Sequence, residues 1–128
     1  MKRSPIGKLG FTLIEMLVVM AIVALLLSLA TPRYFGAIDK SKEIVLQDNL
    51  RTVRLQLDKF LADKGRYPKS IDELVQAGYL RSIPFDPITE SNQTWILMES
   101  KEPDRPGIRD IHSGAQGVSK DGVAYGLL

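Results

Sequence analysis

The sequence predicts an α+β fold, in which a long N-terminal α-helix packs against a small antiparallel β-sheet. The helix is predicted by a run of 21 residues, Phe11 to Thr31, in which Glu15 is the only charged side chain, and by an apolar stripe at helical spacing further along. The sheet is predicted by short alternating segments between turn-forming residues in the last third of the chain. A length of 128 residues fits one small domain plus one special segment.

Composition excludes several classes of protein and site. The chain has no cysteine, so neither a disulfide framework nor a thiolate metal site is available. Three basic residues, Lys2, Arg3 and Lys8, precede the apolar run, and the remainder holds 14 Lys+Arg against 15 Asp+Glu. No basic field for nucleic acid is therefore expected.

The apolar run is long enough to cross a membrane as a helix. At about 1.5 Å per residue, 21 residues span a hydrocarbon core of about 30 Å. The basic residues before it predict that this end stays cytoplasmic and that the rest of the chain is exported.

Two simple interpretations of this segment leave Glu15 unexplained. One is a secretory signal cleaved after the small-x-small sequence Ser28-Leu29-Ala30, and the other is a plain membrane anchor. A carboxylate at the centre of a membrane helix costs about 2.5–3.5 kcal/mol on insertion scales, and somewhat less near an end, and neither interpretation gains anything from it.

A third interpretation gives Glu15 a role. The sequence Gly10-Phe11-Thr12-Leu13-Ile14-Glu15 resembles the prepilin peptidase site of type IV pilins and type II secretion pseudopilins. The resemblance implies that residues 1–10 are a leader removed by cleavage between Gly10 and Phe11, and that Phe11 is then N-methylated. It also implies that 11–31 is retained as a transmembrane and assembly helix. Glu15 would meet the Phe11 amine of a neighbouring subunit, and its own Phe11, four residues earlier, is a geometric competitor.

After the membrane segment we expect an exported domain, 32–128, that begins with a continuation of the helix over 33–64. Pro32 lacks an N–H group, so we expect a bend or local opening near Ser28 to Pro32, either as a kink or as the extensible region that related filaments have. Gly65 is the predicted stop. The stripe that faces the sheet consists of Leu46, Leu50, Val53, Leu57 and Phe60.

The remaining elements are predicted from caps, turns and alternation. Ser70 to Glu73 has the capping-box pattern and starts a short helix over 70–77. Pro84 and Pro87 mark a loop. A C-terminal sheet is expected within 94–128, with strands at 94–98 and 107–112 and a short edge strand around 123–125.

The middle of the chain resembles the major pseudopilin of type II secretion systems (G-type). The resemblance lies in the Gly65-Arg66-Tyr67-Pro68 turn and in the Pro84-Phe85-Asp86-Pro87 loop. Major pseudopilins commonly bind calcium in the C-terminal loop, and the candidate carboxylates here are Asp110 and Asp121, with the hydroxyls of Ser113 and Ser119. Asp121-Gly122 is also an ordinary turn dipeptide. No other cofactor is implied.

An enzymatic function is not indicated. Asp110, His112 and Ser113 invite a catalytic interpretation, but neighbours on a strand point to opposite faces, so His112 and Ser113 could not converge. The single histidine leaves no metal cluster, and we expect it to be an exposed structural residue.

The resemblance implies a structural subunit of a type II secretion pseudopilus, a homo-oligomeric helical filament that drives protein export. Implied partners are the prepilin peptidase, the inner-membrane assembly platform, minor pseudopilins and, before assembly, membrane lipid. The subunit would cross the bacterial inner membrane once, with a cytoplasmic N-terminus and a periplasmic domain, and then enter a periplasmic or cell-surface filament. Two alternatives are a type IV pilin for adhesion, motility or DNA uptake, and a soluble exported domain released by signal peptidase.

Overall fold

The computed structural model describes residues 10–128. Helix α1 spans Leu13–Lys64 and helix α2 spans Ile71–Gln76. Strands β1, Ile96–Glu99, and β2, Ile108–His112, follow, and a 3₁₀ turn covers Tyr125–Leu127. The predicted class, α+β with a long N-terminal helix and a small antiparallel sheet, is confirmed.

The described residues divide into two compact units, one ending at Ile38 and the other spanning Asp39–Leu128. The second unit contains the hydrophobic core, and all five members of the predicted helix stripe are buried in it. The core residues are Leu46, Leu50, Val53, Leu57, Phe60, Ile71, Leu74, Leu80, Ile108 and Ile111. Because the α1 members repeat every three or four positions, one face of the helix supplies half of this core.

Helix α1 ends where the sequence predicts. Gly65 follows Lys64 with φ of 73° and donates its N–H to the Leu61 carbonyl at 2.8 Å. Arg66 then lies over the Phe60 ring, with its Cζ 5.2 Å from the ring centre, and pairs with Glu73 at 2.6 Å. This hydrogen bond to the guanidinium lowers the pKa of Glu73. The polar cluster therefore ties α2 to the end of α1.

Helix α2 is short and depends on its cap. Ser70 has extended backbone angles, and its Oγ accepts the Glu73 N–H at 3.2 Å, as the capping-box pattern predicts. Ile71 and Leu74 enter the core, so the cap fixes the orientation of the face that is buried.

Strands β1 and β2 form a two-stranded antiparallel sheet, with Leu97 opposite Ile111 and Ile96 opposite His112. A register irregularity occurs between Met98 and Glu99. Ile111 is buried, whereas both Ile96 and Leu97 of β1 keep exposed surface. Strand β2 is therefore the strand that contacts the core most closely.

The prediction of a short edge strand around 123–125 is wrong. The sheet, expected within 94–128, consists of β1 and β2 alone among the described residues. Only an isolated bridge joins Val118 to Ala124, and the 3₁₀ turn begins at Tyr125. The reason is local, because Gly122 has φ of 83° and donates to the Ser119 carbonyl at 3.0 Å, which closes a tight turn instead of an extended strand.

The Tyr67-Pro68 turn is bonded to the start of β2. The Tyr67 N–H donates to the Pro106 carbonyl at 3.2 Å, and the Ile108 N–H donates to the Pro68 carbonyl at 2.8 Å. Gly107 lies between these bonds with φ of 117°, and a Cβ there would come within 2.6 Å of the Tyr67 carbonyl oxygen. Only glycine fits this close approach of two backbones.

Asp86, which is fully buried, holds the proline-flanked loop together. Its Oδ1 accepts the backbone N–H groups of Ile88 at 2.8 Å and Thr89 at 3.3 Å, and its Oδ2 accepts the Ser113 hydroxyl at 2.5 Å. Trp95 donates its indole N–H to the carbonyl of Pro84 at 2.8 Å. Asp86 thus orders its own loop and connects it to the residue that follows β2.

We expect Gly107→Ala to lower the free energy of unfolding by about 2–4 kcal/mol, because it adds backbone strain to a steric clash. Gly65→Ala is the matched control, since Gly65 also has positive φ but has no atom within 4 Å of the added Cβ; it should cost about 1–2 kcal/mol. The measurement is denaturant unfolding of the full chain in detergent, followed by fluorescence of Trp95. Equal losses for the two variants would contradict the steric argument.

We expect Asp86→Ala to lower the free energy of unfolding by about 2–4 kcal/mol, because two backbone donors and one hydroxyl lose their acceptor in the interior. Asp86→Asn keeps the Oδ1 acceptor and should lose about half as much. The exposed Asp48→Ala should stay within about 0.5 kcal/mol of the parent. The same fluorescence assay applies, and an Asp86→Ala value close to that of Asp48→Ala would refute the role of this carboxylate.

Candidate functional site

The start of α1 brings together the residues of the predicted processing site. Gly10 and Phe11 precede the helix, and Thr12 caps it: its Oγ1 accepts the Glu15 N–H at 3.1 Å and its carbonyl accepts the Met16 N–H at 3.1 Å. Glu15 therefore occupies the first helical turn, where the helix dipole stabilises a carboxylate. Thr12 to Glu15 also has the S/T-x-x-E pattern, which was the available sequence signal for this cap.

Both partners of the predicted assembly pair are accessible in the single chain. The side chain of Phe11 is 76% exposed, and Glu15 is exposed as well. Cleavage between Gly10 and Phe11 would fall on a non-helical bond just before the cap, so the first turn of α1 would keep the hydrogen bonds made by Thr12. The prediction that these residues are processed and take part in assembly is compatible with this geometry.

The apolar run continues this helix with its side chains uncovered. Every residue from 16 to 31 is exposed, so this stretch is not a helix of the protein's own core. Its two hydroxyl groups are satisfied within the helix, because Ser28 donates to the Ala24 carbonyl at 2.9 Å and Thr31 to the Leu27 carbonyl at 2.6 Å. Helix α1 is the one described helix that is long and apolar enough to cross a membrane.

Pro32 lies inside α1, and the local opening expected near Ser28 to Pro32 is not present. A proline in a helix interior removes one backbone hydrogen bond and costs about 3 kcal/mol or more. Strong helix formers, Leu and Ala, precede it in the sequence, and the Thr31 hydroxyl adds a bond to the preceding turn. Extension of this region on assembly stays a prediction.

The two carboxylates predicted to bind calcium lie in different clusters. Asp110 Oδ1 accepts Arg54 Nε at 2.7 Å and its own neighbour's N–H, that of Ile111, at 2.8 Å, while Oδ2 is 3.5 Å from His112 Nε2. Asp121 pairs instead with Lys40, 3.6 Å away, and is largely exposed. Arg54 also donates to the backbone oxygens of Ile111 and Leu128. Asp110 is therefore one of several acceptors that surround the Arg54 guanidinium.

The hydroxyl candidates are engaged elsewhere too. Ser113 donates to Asp86 and accepts the Ala115 N–H at 3.1 Å, and Ser119 accepts the Val123 N–H at 3.3 Å. Calcium takes six to eight oxygen ligands, whereas no group of three or more His, Cys, Asp or Glu that could hold a metal occurs among residues 10–128. As arranged here, these donors do not fit a calcium ion. The structure therefore lends no support to the calcium binding that the resemblance predicts at Asp110 and Asp121, and that prediction is left to the comparison in EDTA and calcium chloride described below.

The catalytic interpretation gains no support from the geometry around β2. A nucleophilic serine would donate its hydroxyl to a histidine base, but the Ser113 hydroxyl donates to the Asp86 carboxylate instead. His112 is half-buried, which corrects the expectation that it is exposed, and its Nδ1 is buried without a hydrogen-bond partner. It lies opposite Ile96 of β1 in the two-stranded sheet.

Two buried carboxylates were not among the predicted sites. Glu43 is 3% exposed and lies three positions before Leu46, so the apolar stripe extended back by one turn reaches it. A charged residue at a core position was the sequence signal for it. Asp86 was indicated by the Asp-Pro dipeptide, which is typical of a turn that the Asp side chain caps.

The comparisons with known proteins agree with the N-terminal pattern and extend it along the chain. Residues 7–31 match the family described as the prokaryotic N-terminal methylation motif. The type II secretion system core protein G of Klebsiella pneumoniae is 32% identical over 94 residues, which cover 61% of this chain and 67% of that protein. The core protein G of Escherichia coli K12 is 27% identical over 138 aligned positions, which cover 92% and 91% of the two chains.

A relative of another kind is the type IV major pilin PilA of Myxococcus xanthus, 32% identical over 65 residues, which cover 51% of this chain and 30% of that pilin. No solved structure gives a significant match. Among these three relatives, the two secretion proteins share the larger part of their length with this chain. The chain therefore belongs to the type IV pilin-like family, and within that family it is similar to the core G proteins of type II secretion systems.

Proposed function

We propose that the protein is a structural subunit of a type II secretion pseudopilus, held in the inner membrane until it enters a helical filament. The observation that carries the proposal is the continuity of α1. The exposed apolar run and the helix that supplies half of the core form one helix, Leu13–Lys64. A subunit that keeps its apolar segment as part of its central helix is suited to a filament and not to release as a soluble domain.

This continuity also bears on where the chain is cut. Cleavage by signal peptidase after Ala30 would break α1 inside its regular hydrogen bonding, whereas Gly10 lies before the helix cap. The match to the methylation motif covers the same residues. Both observations support removal of residues 1–10 between Gly10 and Phe11, with methylation of the new Phe11 amine.

Glu15 would then provide the register of assembly. A carboxylate in a helix that is otherwise apolar from Phe11 to Thr31 needs a partner when that helix enters lipid or a helix bundle. The Phe11 amine of a neighbouring subunit is the partner that we propose. Because apolar side chains can slide past one another at small cost, this pair would be the contact that rejects a wrong register.

We further propose a single crossing of the inner membrane, with the N-terminus cytoplasmic and residues 32–128 periplasmic. Lys2, Arg3 and Lys8 before the apolar run support this orientation. The protein would work by adding to the filament through contacts with the prepilin peptidase, the assembly platform and minor pseudopilins. Its role is structural, and no catalytic step is assigned to it.

A second candidate, a type IV pilin, is favoured by the relative from Myxococcus xanthus. The two roles differ in what a strain without the gene would lose. Loss of a pseudopilus would leave exported proteins in the periplasm, whereas loss of a pilus would remove surface fibres. Secretion assays and electron microscopy of the same deletion strain distinguish these outcomes.

We expect the mature protein from membranes to begin at N-methylated Phe11. The measurement is the intact mass of the purified protein together with sequencing of its N-terminal peptide by mass spectrometry. A start at Thr31 would show that the apolar run is discarded and would overturn the filament proposal. An uncut Met1 in the native host would contradict processing by the peptidase.

We expect Glu15→Ala to be processed normally but to form no filaments, because the neighbour's amine loses its acceptor. Glu15→Gln, which keeps the size of the side chain but not its charge, should fail in the same way. Met16→Leu, one position further along the same helical turn, is the control and should assemble. Filament yield is measured by electron microscopy and by cross-linking in membranes. Normal filaments from Glu15→Ala would refute the pairing role.

A further inference from the structure

Glu43 is a buried carboxylate that the proposed function does not use. It lies on α1 at the start of the second compact unit, one turn before the first apolar core residue, Leu46. Only 3% of its surface is exposed. An ionised carboxylate in this position needs hydrogen-bond donors, because a buried charge without them is costly.

The donors come from the C-terminal loop. Glu43 Oε1 accepts the backbone N–H of Lys120 at 2.8 Å and the hydroxyl of Tyr125 at 3.3 Å. Burial, and then the charge of Glu43, raise the pKa of Tyr125, so the hydroxyl stays protonated and able to donate at neutral pH. One carboxylate on α1 thus holds two points of the loop that are five residues apart.

The loop that contains these two points is also bonded internally. The Ser119 N–H donates to the Val123 carbonyl at 2.7 Å, and the Ser119 hydroxyl accepts the Val123 N–H at 3.3 Å. Ser119 is itself buried. The turn therefore satisfies part of its backbone hydrogen bonding internally. Its position on the domain depends on the contacts that join it to α1.

A second contact to the same loop is the ion pair of Lys40 with Asp121, at 3.6 Å. Half of the Lys40 side chain and most of the Asp121 side chain are exposed. Exposed ion pairs of this kind contribute little to stability, because water screens the two charges, whereas hydrogen bonds to a buried charged group are among the stronger polar contacts. Glu43 is therefore the stronger of the two attachments.

The attachment by Glu43 differs chemically from attachment by a calcium ion. A calcium ion would attach a loop by collecting its oxygen atoms. Here the loop is attached through its N–H and O–H donors, and the charged group that binds them is a carboxylate on the helix. The loop therefore offers hydrogen-bond donors to an anion, whereas a calcium site would need it to offer oxygen ligands to a cation. The loop carboxylate, Asp121, already has a cation, Lys40, and Asp110 has Arg54.

We infer that Glu43 is a positioning residue that fixes the loop Ser119–Tyr125 onto α1, and that this attachment takes the place of a bound metal ion. The inference concerns the folded domain itself, and it does not depend on whether the filament serves secretion or adhesion.

The first test needs no variant. The full chain in detergent is compared in EDTA and in millimolar calcium chloride by hydrogen–deuterium exchange of peptides covering 118–126 and by thermal unfolding. We expect exchange rates to agree within about twofold, because no ion takes part in holding the loop. Slowing of exchange by calcium of about tenfold or more would overturn the inference and support the predicted calcium site.

The second test removes the carboxylate. In Glu43→Ala we expect exchange of the 118–126 amides to accelerate by about tenfold or more, while peptides from β2 stay protected. Glu43→Gln keeps an acceptor oxygen and should show a smaller increase. The controls are Lys40→Ala, which removes the exposed ion pair, and Asp48→Ala, which removes an exposed carboxylate of the same helix.

Both controls should leave loop exchange within about twofold of the parent. Unchanged exchange in Glu43→Ala, or equal effects of Glu43→Ala and Lys40→Ala, would overturn the role of Glu43. If Glu43→Ala does not fold, Glu43→Gln and the calcium comparison still decide the question.

Discussion

One α-helix has to satisfy two environments, and the rest of the structure depends on this constraint. The first part of α1 is apolar on every side and uncovered, whereas beyond residue 42 only one face is buried in the described chain. A helix that is apolar all round suits lipid or a helix bundle, and a helix with one apolar stripe suits the side of a globular domain. The change from one pattern to the other occurs near the limit between the two compact units, after Ile38.

The domain that surrounds the second part of α1 combines a small hydrophobic core with hydrogen bonds and ion pairs from the helix and from buried loops. It has no cysteine and a sheet of only two strands, and such a pair of strands is marginally stable without packing against another element. Arg54 fixes β2 by pairing with Asp110 and by donating to the Ile111 carbonyl. Asn49 donates to the Phe85 carbonyl at 2.7 Å and so attaches the Asp86 loop to the same helix.

The parts of the fold that could be predicted from sequence are those governed by local chemistry. The stripe from Leu46 to Phe60, the Gly65 stop and the Ser70 cap depend on residues within a few positions of each other, and the structure contains all of them. The failed edge strand at 123–125 was a local error as well, because the Asp121-Gly122 turn outweighed weak alternation. Periodicity could not reveal tertiary polar contacts.

Glu43 and Asp86 illustrate that limit. Their hydrogen-bond partners, Lys120 and Ser113, lie 77 and 27 positions away in the chain. No spacing rule joins positions so far apart, although a charge on the core face of a helix and an Asp before a proline are signals that such partners exist. The candidate processing site was predictable for the opposite reason, because Gly10, Phe11 and Glu15 lie within one short segment.

The two parts of α1 also differ in how they can encode specificity. In the domain, shape and hydrogen bonds at many positions select one packing arrangement. In the apolar segment, Leu, Val, Ile and Ala side chains offer similar contacts at many offsets, so packing alone discriminates weakly between registers. A single carboxylate at the centre of such a helix costs about 2.5–3.5 kcal/mol when it lacks a partner, which corresponds to roughly a hundredfold preference for the register that pairs it. Near the end of the helix, where Glu15 lies, the cost and the preference are smaller. One charged residue, Glu15, can therefore supply the specificity that the apolar residues from Phe11 to Thr31 lack, provided that its partner sits at a fixed position on the neighbouring helix.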